Sequence, residues 1–293
     1  MIEDLTGHCI SAGSLVNFNT NCCEQLSDFM KALKTNLLQS PLIHADETGY
    51  YYDNNRNWLH VAATADCTYY YPHEKRGKEA MDAMGVLPTY TGALMHDYWK
   101  SYLDYDCQHY LCNAHHLRDL TFCEEQEKST WAKQMKALLL DMKHSVDDSL
   151  TLGLQSLTED QQTKYLQHFD TLIAQGNIEH PLPQKQIGKR GAVKKCKSRN
   201  LLERFAKHKD GITQFIKDFA VPFGNNLAEQ PLRMMKLKQK ISGCFRSKAG
   251  ATVFATIRSY IDTMRKNGFD IMDALDLAIK GKSIIPFIPA YSQ

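Results

Sequence analysis

Between Leu42 and Cys112 the chain carries five short runs of strand-forming residues, and after Asn113 that signal vanishes until Phe219. The runs are Leu42 to Asp46, Trp58 to Thr64, Thr68 to Tyr71, Gly92 to Asp97 and His109 to Cys112. The first three follow one another through short turns, Asp53-Asn-Asn-Arg being the first, which predicts an antiparallel meander. The last two are separated from them by helical patterns, Arg76 to Gly85 and Trp99 to Leu103, which predicts βαβ connections. A meander joined to βαβ units gives an α/β fold with a mixed five-stranded sheet flanked by helices. In such a sheet the ends of central strands form a ligand crevice.

Two acids stand at the ends of these runs. Asp46 closes Pro-Leu-Ile-His-Ala-Asp and Asp97 closes Thr-Gly-Ala-Leu-Met-His-Asp. A third, Glu229, lies in Asn-Asn-Leu-Ala-Glu-Gln-Pro-Leu-Arg at the start of a late cationic helix. A lone Asp after a strand usually serves a turn, but three acids placed this way predict a divalent-cation site built from distant segments. The late helix begins at a cap, Asn225 or Asn226, and tolerates Pro231 because it falls in the first turns. It carries Arg233, Lys236 and Lys240 on the face of Glu229 by i+4, i+7 and i+11 spacing. Arg246, in Ser-Gly-Cys-Phe-Arg-Ser, lies in a turn suited to holding a phosphate, a plain helix-ending loop being the alternative.

The remaining segments read as helices. Residues 1–40 form an N-terminal connector with a helix from Cys23 to Leu38. Apolar residues recur at helical period over His115 to Glu127, Trp131 to Leu150, Glu159 to Gln175 and Leu201 to Phe219. The core is therefore expected at 41–115 and 220–267, with an all-helical insertion at 116–219 between the second Asp and the Glu. Within it the Lys- and Arg-rich stretch 184–200 is expected to be a basic loop, with Lys189, Arg190, Lys194 and Lys195 as DNA contacts. A helix and tail occupy 268–293.

The net charge of +2 conceals a division of charge. Residues 185–266 hold 20 Lys and Arg against 5 Asp and Glu, and the rest of the chain holds 15 against 28. Such a cationic region suggests a polyanion partner, because neutralising phosphates releases counterions, a solvated helical surface being the alternative. The nine Cys are scattered without paired Cys-x-x-Cys spacing, and no signal peptide or membrane-length apolar run is present. A cytoplasmic protein with reduced thiols and no membrane association is the expectation. Cys112-Asn-Ala-His115 has the spacing of half a zinc site, but no second pair stands at a matching distance in sequence. Tyr98 and Trp99 beside Asp97 could stack on a splayed base, yet aromatics at a strand end more often pack a core. Gly281-Lys-Ser imitates a phosphate-binding loop, but Asp276 stands where that loop requires Gly.

The strings HADETG, ALMHDYWKSY, YLCNAHHLRDL, NLLERF, VPFGNNLAEQPLRMMKLKQKISGCFRS and GATVFATIRSYIDTMRKNG closely resemble the transposases of the insertion sequence 66 family, in order, from about residue 5 to residue 285. The resemblance implies a ribonuclease H-like core with the acidic triad Asp46, Asp97 and Glu229. It implies DNA strand cleavage and transfer with two Mg²⁺ ions, Mn²⁺ serving as a substitute. Asp46 would then bridge both ions while Asp97 and Glu229 each complete one shell. Cys112 and His115 match a Cys-x-x-His signature that follows the second Asp, with a structural role or a contact to DNA implied. The implied partners are transposon ends and target DNA, a second copy of the chain on DNA, and accessory transposition proteins. The implied location is the bacterial cytoplasm, at the nucleoid when DNA is bound.

Three departures from the family pattern stand out. Gly224 replaces a common Asp before the paired Asn, Gln230 replaces a common Arg after Glu229, and the long N-terminal region with its DNA-reading elements does not precede Asp46. A chain of this kind is expected to keep the chemistry while lacking recognition of specific ends. The alternatives are a catalytically idle DNA-binding remnant and a metal-dependent nuclease that only hydrolyses.

Overall fold

The computed structural model describes residues 7–183 and 193–287. Two helices open it, α1 (Ala12–Gln25) and α2 (Ser27–Gln39). The expected single helix over Cys23 to Leu38 is thus broken at Leu26, which the turn buries completely. Strand β1 (Leu42–Tyr52) turns through Asp53 and Asn54 into β2 (Asn55–Ala63), and β3 (Thr68–His73) follows. Both turn residues have positive φ, 46° and 57°, the conformation a two-residue hairpin needs and Asp and Asn tolerate best. Helix α3 (Lys78–Met84) leads to β4 (Ala93–His96), and β5 (Gln108–Leu111) completes the strands. The sheet is five-stranded and mixed, in the order β3-β2-β1-β4-β5, with β1 antiparallel to β2 and parallel to β4.

Beyond β5 come α4 (Asn113–Glu127), α5 (Thr130–Thr151), α6 (Glu159–Glu179), α7 (Lys197–Lys207) and α8 (Lys209–Thr213). Three more helices follow, α9 (Asn226–Ser242), α10 (Lys248–Lys266) and α11 (Ile271–Ile279). Chain contacts divide the protein into two units. Unit 1 holds Met1–Met95, Trp99–Gln108 and Asn226–Gln293, and unit 2 holds His96–Tyr98 and His109–Asn225.

In unit 1 the alternation of β1 decides what each sheet face carries. His44, Asp46, Thr48 and Tyr50 lie opposite Ala63, Val61, Leu59 and Asn57 of β2 on one face. There Tyr50, Leu59, Val61 and Tyr70 are buried against Ala228, Leu232 and Met235 of α9 and Ala251 and Ala255 of α10. On the other face Ile43, Ala45 and Ala62 pack with Phe29, Leu33 and Leu37 of α2 and Met81 and Met84 of α3. Helix α10 is also bonded to β3: Ser259 Oγ and Thr263 Oγ1 accept the amides of Tyr70 and Thr68 at 3.0 and 3.2 Å.

In unit 2 helices α4 to α8 enclose Trp131, Met135, Leu139, Phe169, Leu202 and Phe205. Two carboxylates cap helices from outside their own segments, which satisfies amides that a helix start leaves without partners. Glu179 accepts the amides of Thr130 and Trp131 at 2.8 Å. Glu127 accepts those of Lys197 and Ser198 at 3.0 and 2.8 Å. The second cap explains why α7 begins at Lys197, inside the stretch expected to be loop through Asn200. The expected single helix to Phe219 stops at Lys207 instead. Near its continuation Gly211 lies so close to strand β5 that a Cβ would stand 2.4 Å from the His109 carbonyl oxygen. Residues 184–192 of the expected basic loop, Lys189 and Arg190 among them, lie outside the described residues.

Candidate active site

Asp46 is the fifth of the eleven residues of β1, not its last as the apolar run suggested. The strand continues because Thr48 and Tyr50 to Tyr52 favour extended backbone and stay paired with β2 as far as Tyr52 and Asn55. Asp46 is half-buried, on the sheet face that α9 covers, and its Oδ1 accepts the Glu47 amide at 2.8 Å.

Glu229 occupies the first turn of α9 and is also half-buried. Its neighbours Ala228 and Leu232 are the residues that seat α9 on the β1/β2 face. Unit 1 thus presents Asp46 and Glu229 from a strand and a helix packed on one another. The amino end of a helix carries partial positive charge, which favours a carboxylate there. Pro231 is the sixth helical residue, in the second turn, and supplies no amide to the Leu227 carbonyl.

Asp97 follows the last residue of β4. In the parallel register Leu42, Ile43 and His44 pair with Ala93, Leu94 and Met95, so Asp46 and Asp97 each stand two residues past the final paired position. The chain turns sharply after Asp97, for Tyr98 takes φ of 68°. His96 Nδ1 accepts the Tyr98 amide at 3.2 Å, and its Nε2 lies 3.1 Å from His109 Nδ1. An accepting Nδ1 puts the His96 proton on Nε2, which then donates to His109. Burial first, and the nearby His109 second, hold His96 well below the ordinary histidine pKa, so it stays neutral. Tyr98 packs on His208 at 5.2 Å and lies 4.3 Å beneath the Arg204 guanidinium, so it serves unit 2 packing.

Cys112 is buried and precedes α4, with His115 half-buried in that helix's first turn. The Cys112 amide donates to the His96 carbonyl at 2.9 Å, and its Sγ accepts the Asn225 amide at 3.2 Å. The cysteine therefore fixes the residue just ahead of α9. A Cβ on Gly224 would meet Ala114 Cβ at 3.7 Å and Cys112 Sγ at 3.9 Å, ordinary contacts, so the backbone there does not demand glycine.

Of the expected phosphate ligands, Arg233, Lys236, Lys240 and Arg246 are all exposed in unit 1. Lys236 Nζ donates to the Gly49 carbonyl of β1 at 3.0 Å. Lys194 is exposed in unit 2, while Lys195 is engaged by Glu203 at 2.6 Å.

Sequence reading missed the buried acid next to Asp46. The Glu47 side chain is fully buried on the opposite face of β1; Oε1 accepts Arg76 Nε at 2.8 Å and Oε2 accepts the Tyr102 hydroxyl at 2.6 Å. The Arg76 guanidinium in turn stacks over Trp99 at 3.8 Å and over Trp58 at 4.8 Å. A second charge directly after Asp46, on the face that alternation turns toward Ala45, was the signal.

Asp46 and Glu229, both half-buried in unit 1, offer carboxylate oxygen, the donor type that hard divalent cations take. A mixed sheet with acids on its central strand and just beyond the parallel neighbour is compatible with a ribonuclease H-like fold. The family model described as Transposase IS66 family matches residues 1–253. The chain belongs to the IS66 family of transposases, which carries a role in DNA transposition and, in general, the cleavage and transfer of DNA. No curated protein matches it. Among the described residues, no helix is long and apolar enough to cross a membrane.

Proposed function

We propose that this chain is the catalytic part of a metal-dependent DNA transposase, with a ribonuclease H-like core and a helical insertion between Asp97 and Glu229. Asp46, Asp97 and Glu229 would hold two Mg²⁺ ions. The observation that carries this reading is the family match, which spans all three acids and the cationic helix. The common sheet face of Asp46 and α9 supports it.

Two bound ions supply activation of the attacking oxygen and neutralisation of the leaving oxygen in phosphodiester exchange. The remaining work belongs to the chain. Arg233, Lys240 and Arg246 hold backbone phosphates by charge and so place the strand without reading its sequence. Lys236, tied to the Gly49 carbonyl, stands between Arg233 and Lys240 on α9. Half-burial of the acids keeps bulk water from competing for them, while DNA ends, target DNA and a second copy of the chain are the partners we assign.

Supercoiled plasmid and Mg²⁺ provide the test. Wild type should nick the plasmid and join a supplied 3′-hydroxyl end to it, and Asp46→Asn, Asp97→Asn and Glu229→Gln should each lose at least about 100-fold of that activity. Binding without nicking by wild type would overturn the enzyme in favour of a DNA-binding remnant. Nicking without joining would leave a nuclease.

A further inference from the structure

The Asp46 side chain is tied to its own strand, since its Oδ1 accepts the backbone amide of Glu47 at 2.8 Å. Glu47 sits in the β1/β2 ladder opposite His60, and its side chain projects from the opposite sheet face, where it is clamped. Arg76 Nε and the Tyr102 hydroxyl occupy its two oxygens at 2.8 and 2.6 Å. Neither oxygen reaches water, because the side chain is wholly buried. A bonded carboxylate of this kind behaves as a rigid post, and a guanidinium, planar and with donors in a fixed fork, is the group best shaped to hold it.

The same guanidinium has a second attachment. It lies over the Trp99 ring at 3.8 Å and over Trp58 at 4.8 Å, and the Arg56 guanidinium lies over Trp58 at 4.5 Å. Trp99 stands two residues beyond Asp97, where the chain re-enters unit 1. One side chain is therefore bonded to the residue after Asp46 and packed against Trp99.

We infer that Arg76 is a positioning residue for the metal-binding Asp46: it anchors Glu47, whose amide the Asp46 carboxylate accepts, and the Trp99 ring holds its guanidinium in place. It touches neither DNA nor ion. The inference rests on the proposed metal site, and groups that orient metal ligands from outside usually change ion affinity by tenfold or more when replaced.

Mn²⁺ binding to the whole protein without DNA, followed by the electron paramagnetic resonance signal of the unbound ion, is the direct readout. Arg76→Lys keeps the charge beside Glu47 but loses the Nε bond to its carboxylate and the guanidinium over Trp99. It should weaken Mn²⁺ binding about tenfold, raise the Mg²⁺ concentration for half-maximal nicking by a similar factor, and leave plasmid binding in EDTA within about twofold of wild type. Trp99→Leu, at a solvent-exposed position, should weaken Mn²⁺ binding about threefold with Glu47 still clamped, and it serves where Arg76→Lys fails to fold. Asp46→Asn is the control. If it abolishes Mn²⁺ binding while Arg76→Lys and Trp99→Leu both bind as wild type does, Arg76 has only a structural part and the inference falls. If Asp46→Asn leaves Mn²⁺ binding unchanged, the metal site itself is wrong and both readings fall together.

Discussion

At the scale of single residues, the buried histidines set how this protein responds to acid. Burial is the largest cause in each case. It pushes His60 down to about 4 against the opposing bond to the Lys75 carbonyl, and pushes His116, with Arg204 nearby, down to about 3. Both are bases whose folded pKa is depressed, so the unfolded chain takes up their protons below about pH 6.5 while the folded chain does not. Their contribution is complete above that pH and is lost as pH falls toward 4 for His60 and toward 3 for His116. Urea unfolding at pH 7, 6 and 5 should show stability declining below pH 6.5 by up to about 1.4 kcal/mol per pH unit for each histidine. His60→Asn should flatten the decline. A slope of zero in the wild type would contradict the assignment. Asp46 and Asp97 stood out at this scale because an acid in an apolar run is conspicuous. Glu47 did not, because a buried ion pair depends on where Arg76 and Tyr102 come to lie, and both are distant in sequence.

Elements were legible where one periodicity ruled and their ends were not. The strands from Leu42 to Leu111 and the helices Thr130–Thr151 and Ile271–Ile279 follow patterns set by alternation or by helical spacing. Their boundaries moved where a partner elsewhere decided them, as the Glu127 cap did for α7 and the pairing with β2 did for the second half of β1. Close approach inside α6 gives a prediction of the same kind. A Cβ on Gly176 would stand 2.6 Å from Trp131 Cδ1 and 2.8 Å from Leu202 Cδ1. Gly176→Ala should therefore destabilise unit 2 by about 1–3 kcal/mol, overpacking outweighing the gain in helix propensity. Chemical denaturation followed by fluorescence reads this out, and a variant as stable as wild type would mean that the Trp131 ring shifts at no cost.

For the whole molecule, charge is the property that extends furthest. The basic residues of 185–266 balance an acidic remainder, and in unit 1 Arg233, Lys240 and Arg246 display their charge on α9 and the loop after it. Non-specific DNA affinity should fall steeply with salt. Arg233→Gln, Lys240→Gln and Arg246→Gln should each lower the slope of log affinity against log salt by about 1, whatever the DNA sequence. Fluorescence anisotropy over a salt series measures it, and an unchanged slope in all three would remove this face from the DNA contact.

Composition and pattern alone determined that the chain builds a mixed α/β sheet followed by helices, that its charge is divided, and that Asp46, Asp97 and Glu229 are the acids to examine. Those properties reside in neighbouring residues, where alternation and helical period act directly. Which face of β1 Asp46 occupies relative to α9, and the burial of Glu47 under Arg76 behind it, were decided by tertiary packing. Side chains far apart in sequence had to converge before a buried charge could find its partner, and no local pattern encodes that convergence.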